Sequence, residues 1–208
     1  IMENLAITKA IENKLNTSRA NYVFSAIDYS DLAELNTLHQ IFSRFEKEGK
    51  IRRIIQGIYY IPRYSSLLQE YEEPSPTEIA NALARKNRWQ IIPEGNAALN
   101  QLGLSTQVPA KWTFISSGPY SSFEYKNIKI NFKRGSPKHL SSEMSYKTAL
   151  IIQAIKTLGK DRITDADIRK ISNRLSEEEK ERILTESRYT TSWIYSCIKK
   201  ICNYGKAA

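Results

Sequence analysis

Residues 36–62 constrain the fold of this chain more than any other stretch. Between Asn36 and Gly49, Leu38, Ile41, Phe42 and Phe45 fall at i, i+3, i+4 and i+7. A helix at 3.6 residues per turn gathers these four on one side, whereas a strand would scatter them over both faces. Asn36 is read as the N-cap of this helix and Gly49 as its stop. The face away from the stripe carries Thr37, His39, Gln40, Ser43, Arg44 and Lys47. Directly after it, Lys50 to Pro62 contains two β-branched and aromatic runs broken at Gln56-Gly57, where glycine tolerates the positive φ of a tight turn. A β-hairpin follows the helix.

Upstream, Leu5, Ile11 and Leu15 recur at helical spacing, predicting an amphipathic helix over Met2 to Asn16. Tyr22-Val23-Phe24 is a short strand, and Ser25 caps a short helix reaching Leu32, with a turn near Ala33 to Leu35. Helix, helix–turn–helix and basic hairpin in this order make a winged helix over residues 1–63, ended by Pro62. In such a fold the polar face of the second helix lies in the DNA major groove. Thr37, His39, Gln40, Ser43 and Arg44 are then candidates for base-edge contacts. Lys47, Arg52, Arg53 and Gln56 are candidates for backbone or minor-groove contacts. A polar helix face is also the ordinary solvated surface, and Asp28, Asp31 and Glu34 leave a protein-interaction module open as a reading.

The chain of 208 residues has a formal charge of +9, which suits a polyanionic partner. Its distribution argues against one site explaining it all. Residues 1–63 hold nine Lys/Arg against seven Asp/Glu, and residues 64–208 hold 22 against 15.

The run Phe45-Glu-Lys-Glu-Gly-Lys-Ile-Arg-Arg-Ile-Ile-Gln-Gly-Ile-Tyr-Tyr-Ile-Pro62 resembles the signature that closes the N-terminal winged helix of the AbiEi antitoxin family. Pro93-Glu-Gly-Asn-Ala-Ala-Leu-Asn-Gln-Leu-Gly-Leu-Ser-Thr-Gln-Val-Pro109, with Trp112-Thr-Phe-Ile-Ser-Ser-Gly-Pro119, is similar to the segment that follows it in that family. The resemblance implies a DNA-binding antitoxin of a type IV toxin–antitoxin system that represses its own operon. It implies operator DNA, arranged as inverted repeats, as one partner. The second domain is implied to counteract a nucleotidyltransferase-like toxin, with or without direct contact, in phage defence. The alternative is a stand-alone transcriptional regulator whose second domain senses a ligand or dimerises.

Residues 64–75 read as a linker, and 76–208 as a mixed α/β domain with a helical C-terminal part, so the fold class is α+β. Pro76 suits the first turn of a helix to Lys86; strands are expected over Trp89–Ile92 and Trp112–Ser116, with a short helix from Asn96 closed by Gly103. Between Tyr125 and Arg134, Ile128, Ile130 and Phe132 alternate with Lys129, Asn131 and Lys133, predicting one buried and one basic strand face. Lys126, Arg134, Lys138 and His139 extend the charge. Lys126, Lys129, Lys133 and Arg134 thus form a secondary basic face: a solvated surface, a supplementary DNA contact, or a dock for an acidic partner. From Ser142 the pattern turns helical, with stripes through Ile151 and Ile155, through Ile168 and Ile171, and through Trp193, Ile194, Ile198 and Ile201, and with a helix starting at Ser176-Glu-Glu-Glu between the last two.

No catalytic constellation is legible. His39 and His139 are the only histidines, and no nucleophile elbow, phosphate loop or dinucleotide fingerprint occurs. Asp161, Asp165 and Asp167 form the one suggestive carboxylate group, read as the neighbourhood of a helix capped by Thr164 or Asp165, and Cys197 and Cys202 are read as small hydrophobes on a C-terminal helix. The expectation is therefore a binding protein rather than an enzyme, without metal or cofactor. No apolar run reaches membrane-spanning length and Met2-Glu-Asn-Leu-Ala-Ile lacks the blocks of a signal peptide, so a cytoplasmic protein without a membrane partner is expected.

Overall fold

The computed structural model describes residues 2–135 and 144–205, with side chains from Leu5 onward. The architecture is mixed α/β, and contacts divide it into two compact units, residues 1–89 and 90–208.

The first unit runs α1 (Met2–Thr17), β1 (Val23–Phe24), a 3-10 turn (Ala26–Tyr29), α2 (Leu35–Lys47), β2 (Arg52–Ile55), β3 (Ile58–Tyr60), β4 (Tyr64–Ser65), β5 (Glu70–Tyr71) and α3 (Pro76–Asn87). The stripe on α2 does what its spacing dictates: Leu38, Ile41, Phe42 and Phe45 are all buried. They meet Ile11 and Leu15 of α1 and Phe24, Tyr29 and Tyr59. Phe42 sits at the middle of this cluster, with its ring centroid 5.4 Å from those of Phe24 and Tyr29 and 5.6 Å from that of Tyr59. Leu5, expected in the stripe of α1, is exposed, while Ile7 packs on the cluster.

Helix ends differ in detail from the sequence reading. The first turn of α2 closes on Glu34, whose carbonyl accepts from the Leu38 amide at 3.0 Å, so Asn36 is the second helical residue rather than the cap. At the other end Gly49, at φ +73°, allows the Lys50 amide to reach the Phe45 carbonyl and its own amide the Glu46 carbonyl. Those two bonds form a Schellman closure that turns the chain directly into β2. Ser25 precedes a single 3-10 turn, where its amide donates to the Asp28 carboxylate at 2.8 Å, rather than a helix through Leu32.

β1, β3 and β2 form an antiparallel sheet in that order, with Phe24 opposite Tyr59 and Val23 opposite Tyr60. Phe24 and Tyr59 face α1 and α2. By the alternation of a strand, Val23, Ile58 and Tyr60 face the other way, yet they too are buried. α3 packs on β1, β3 and the 3-10 turn and buries Ile79, Ala80 and Leu83. This is why the first unit reaches Trp89 instead of ending at 63. The second face of the sheet is apolar and requires α3 as its cover. Arg85 of α3 fixes the docking, with its Nε 2.7 Å from Asp28 Oδ1 and its Nη2 donating to the Val23 carbonyl at 2.8 Å. The segment read as a linker includes the antiparallel pair β4–β5, and Arg52 lies 3.6 Å over the Tyr71 ring of that pair.

The second unit runs β6 (Ile91–Glu94), α4 (Asn96–Gln101), β7 (Lys111–Ser116), β8 (Ser121–Tyr125), β9 (Ile128–Arg134), α5 (Tyr146–Leu158), α6 (Asp165–Ser172), α7 (Glu177–Glu186) and α8 (Ser192–Cys202). The sheet order is β6-β7-β9-β8, with β7 and β9 parallel and the other neighbours antiparallel. Ile151 and Ile155 of α5, Ile171 of α6, Ile183 of α7 and Ile198 and Ile201 of α8 share one buried cluster with α4. The stripe at Trp193–Ile201 thus serves the core. Of the two cap candidates for α6, Thr164 is the N-cap, in a capping box with Asp167, and Asp165 is the first helical residue; Ser176 and Glu179 form a capping box on α7, which starts where the Ser-Glu-Glu-Glu run places it.

Candidate nucleic-acid interface

With Leu38, Ile41, Phe42 and Phe45 turned inward, the outermost ridge of α2 is Asn36, Gln40, Ser43 and Lys47, at i, i+4, i+7 and i+11. The remaining polar residues flank this ridge on opposite sides. Thr37, Arg44 and Glu48 fall towards α1, where Arg44 Nη2 donates to Thr8 Oγ1 at 3.1 Å and its Nε lies 3.8 Å from Glu48. His39 and Glu46 fall towards the hairpin, where Glu46 accepts from Arg53 Nη2 at 2.5 Å.

His39 and Ser43 of α2 then line an open cleft of about 460 Å³ together with Arg53, Gln56, Gly57 and Tyr59 of the hairpin and Lys86 of α3. Four residues singled out from sequence, His39, Ser43, Arg53 and Gln56, are thereby brought together. Tyr59 holds the floor, with Arg53 stacked 5.6 Å over its ring. Lys86 Nζ donates to the Gln56 carbonyl at 2.9 Å. Gly57 stands at φ +77°, a backbone conformation that favours glycine; a Cβ there would lie 2.8 Å from Lys86 Nζ, the mobile end of a side chain that could move aside, so the backbone is what calls for glycine.

The other candidates lie elsewhere. Gln40 and Lys47 stand on the exposed ridge, Thr37 and Arg44 on the side of α1, and Arg52 on Tyr71. Neighbouring Arg52 and Arg53 leave the strand on opposite faces, so only Arg53 reaches the cleft. Lys50 is also engaged: its ammonium bonds to Glu12 and Glu48, and these two hydrogen bonds hold it above the ordinary lysine range. Asn36 and Lys86 are the polar residues that the sequence reading did not place at the site. Asn36 reads as a cap in sequence, and Lys86 falls beyond the expected boundary at residue 63.

The sequence matches a family of unknown function over residues 10–183, a span that takes in α2, the hairpin, α3 and most of the second unit. The chain belongs to this family, DUF6088. No curated protein matches the chain at a significant level.

Within the span matched by DUF6088, the basic segment of the second unit is less unified than its sequence suggests. Residues 121–134 form the hairpin β8–β9, and Lys126 sits in its turn at φ +52° rather than on a strand. Lys129 and Lys133 share a face of β9, while Arg134, one residue further, leaves on the other. Asn131, expected between the lysines on an exposed face, is buried and accepts from Ser122 Oγ at 3.0 Å. It is buried because β9 is an inner strand with β7 on one side and β8 on the other. Lys133 pairs with Glu94 at 2.9 Å. Lys138 and His139 lie outside the described residues.

Among the described residues, no three His, Cys, Asp or Glu side chains stand close enough to hold a metal ion. Cys202 is buried and Cys197 partly so; burial pushes the Cys197 thiol above its usual range, away from a reactive thiolate. No helix among the described residues is long and apolar enough to cross a membrane.

Proposed function

We propose that the first unit works as a winged helix that binds duplex DNA in a sequence-dependent way, with α2 as the recognition helix and β2–β3 as the wing. The observation that carries this reading is the cleft. The polar side of α2 and a basic hairpin converge there, so a duplex edge laid on the ridge Asn36-Gln40-Ser43-Lys47 would meet Arg53 and Gln56 at the same time. Gln40 and Asn36 carry amides able to bond adenine in a bidentate manner, and Lys47 suits a phosphate. Arg44 supports α2 on α1 in this reading. The chain acts by binding rather than by catalysis, with no cofactor.

We further propose, on the resemblance of the segments 45–62 and 93–119 to the AbiEi family, that the DNA is the operator of its own operon and that the chain counteracts a nucleotidyltransferase-like toxin. Fluorescence anisotropy with a duplex taken from upstream of its own gene tests the first part. The full chain is expected to bind this duplex at least ~10³-fold more tightly than a scrambled one. Gln40→Ala is expected to lose about ten- to hundredfold on the upstream duplex only, the cost of one good base contact. Equal affinity for both duplexes at all salt concentrations would refute it. Co-expression tests the second part: the chain rescues growth from a neighbouring nucleotidyltransferase-like gene, and failure to rescue leaves a stand-alone regulator.

A further inference from the structure

The cleft beside α2 is completed by a residue outside the winged-helix elements, Lys86 in the last turn of α3. The way it is held sets it apart. Lys14, Lys50, Lys133 and Lys147 are each fixed by a carboxylate, which cancels their charge locally. Lys86 is fixed by a neutral carbonyl, that of Gln56, so its position is defined while its charge stays uncompensated. One ammonium hydrogen is used in that bond and two remain.

The rest of the cleft is built from donors as well. Arg53 is ion-paired with Glu46 through Nη2, so it brings further N–H donors to the cleft rather than an uncompensated charge, and Ser43 and His39 find no protein partner among the described residues. Gly57, at φ +77° in the turn, brings the Gln56 carbonyl that holds Lys86 to the edge of the cleft without a side chain of its own. An ammonium, a guanidinium, a hydroxyl and an imidazole around one open hollow match a tetrahedral oxyanion better than a base edge.

We propose that Lys86 and Arg53, with Ser43 and His39, form a seat for one phosphodiester of the DNA backbone at the tip of the wing. The seat deepens the winged-helix reading and rests on it. It makes α3 part of the DNA contact as well as the cover of the sheet. Because a phosphate is the same in every sequence, Lys86 fixes the register of the protein on the duplex and contributes nothing to discrimination.

The test uses the full chain, the upstream duplex and a scrambled duplex over a salt series, with Lys86→Gln and Lys86→Arg. Lys86→Gln is expected to weaken both duplexes by the same factor and to lower the slope of log K against log salt concentration by about 0.9, one phosphate contact. Lys86→Arg keeps the slope. Unfolding temperatures equal to wild type show that both variants fold. Wild-type binding with an unchanged slope in Lys86→Gln overturns the phosphate seat and leaves the reading of α2 intact. A loss confined to the upstream duplex also overturns it, since that marks a base contact. Absence of wild-type binding to either duplex removes the reading on which the seat rests, and the seat with it.

Discussion

The two units of this chain differ in charge and in construction, in opposite senses. Residues 1–89 carry twelve Lys/Arg against eleven Asp/Glu, and residues 90–208 carry 19 against 11. The nearly neutral unit nonetheless holds the cleft that Arg53 and Lys86 line together, while the strongly basic unit spreads Lys126, Lys129, Lys133 and Arg134 over a hairpin turn and both faces of β9. Net charge gives a polyanion a reason to approach; only arrangement gives it a place to sit. In the first unit the carboxylates are as informative as the cations. Glu12, Glu46 and Glu48 pair with Lys50, Arg53 and Arg44, whereas Lys86 and Lys47 have no carboxylate partner among the described residues.

The comparison breaks first if the units do not unfold separately. Phe42→Ala removes a buried ring from the centre of the first core and is expected to cost about 3–5 kcal/mol there. Ile155→Ala is expected to cost about 2–5 kcal/mol in the second core. In urea denaturation monitored by hydrogen exchange, each substitution is expected to shift only its own unit's amides. A common shift would mean a single cooperative body.

A smaller effect sharpens the boundary between the units. Arg85→Ala leaves the Asp28 carboxylate, whose side chain is 11% exposed, without its cation, and frees the Val23 carbonyl. The expected loss is about 1–3 kcal/mol, confined to the first unit. If the second unit lost stability instead, α3 would belong with it, as the sequence alone suggested.

The second unit has its own electrostatic signature. Burial pushes the Glu186 carboxyl upward, but hydrogen bonds from the Ser145 hydroxyl and amide and from the Thr148 hydroxyl outweigh it and hold the group below the usual glutamate range. Its contribution is therefore present above the unfolded-state value of about 4.3 and is lost as pH falls through the lower folded-state value. Glu186→Gln is expected to cost about 1–2 kcal/mol at pH 7 and to flatten the acid limb of the second unit's stability. An acid limb identical to wild type would show that the Glu186 cap does not hold α5. Smallest of all, Lys129→Gln is expected to change stability by less than ~0.5 kcal/mol, as for other exposed positions.

Much of the fold was legible because it follows local periodicity. The stripe on α2, the break at Gln56-Gly57, Pro76 after Ser75 and the capping pairs Thr164–Asp167 and Ser176–Glu179 each carry their own physical reason within a few residues. What was not legible depends on partners distant in sequence. Nothing in residues 76–87 says that Ile79 and Leu83 cover the back of a sheet made by residues 23–60, so the boundary at 63 and the exclusion of Lys86 followed together. Asn131 reads as polar and exposed until β8, a strand with its turn on a left-handed Lys126 instead of a glycine, is placed beside it. At the site, spacing identified the polar side of α2 but could not divide it. Arg44 and His39 look equivalent in sequence, and only the positions of α1 and the hairpin separate a helix support from a cleft residue.

The central claim, that the nearly neutral unit reads DNA while the basic unit does not, is tested most directly by comparing two double variants of the full chain. Gln40→Ala with Lys47→Ala alters the ridge of α2, and Lys129→Gln with Lys133→Gln alters β9. The measurement is the ratio of affinities for the upstream and scrambled duplexes at a fixed salt concentration. The ratio is predicted to fall about ten- to hundredfold in the α2 variant, through Gln40, and to stay at the wild-type value in the β9 variant. An unchanged ratio in the α2 variant, or its collapse in the β9 variant, would contradict this account.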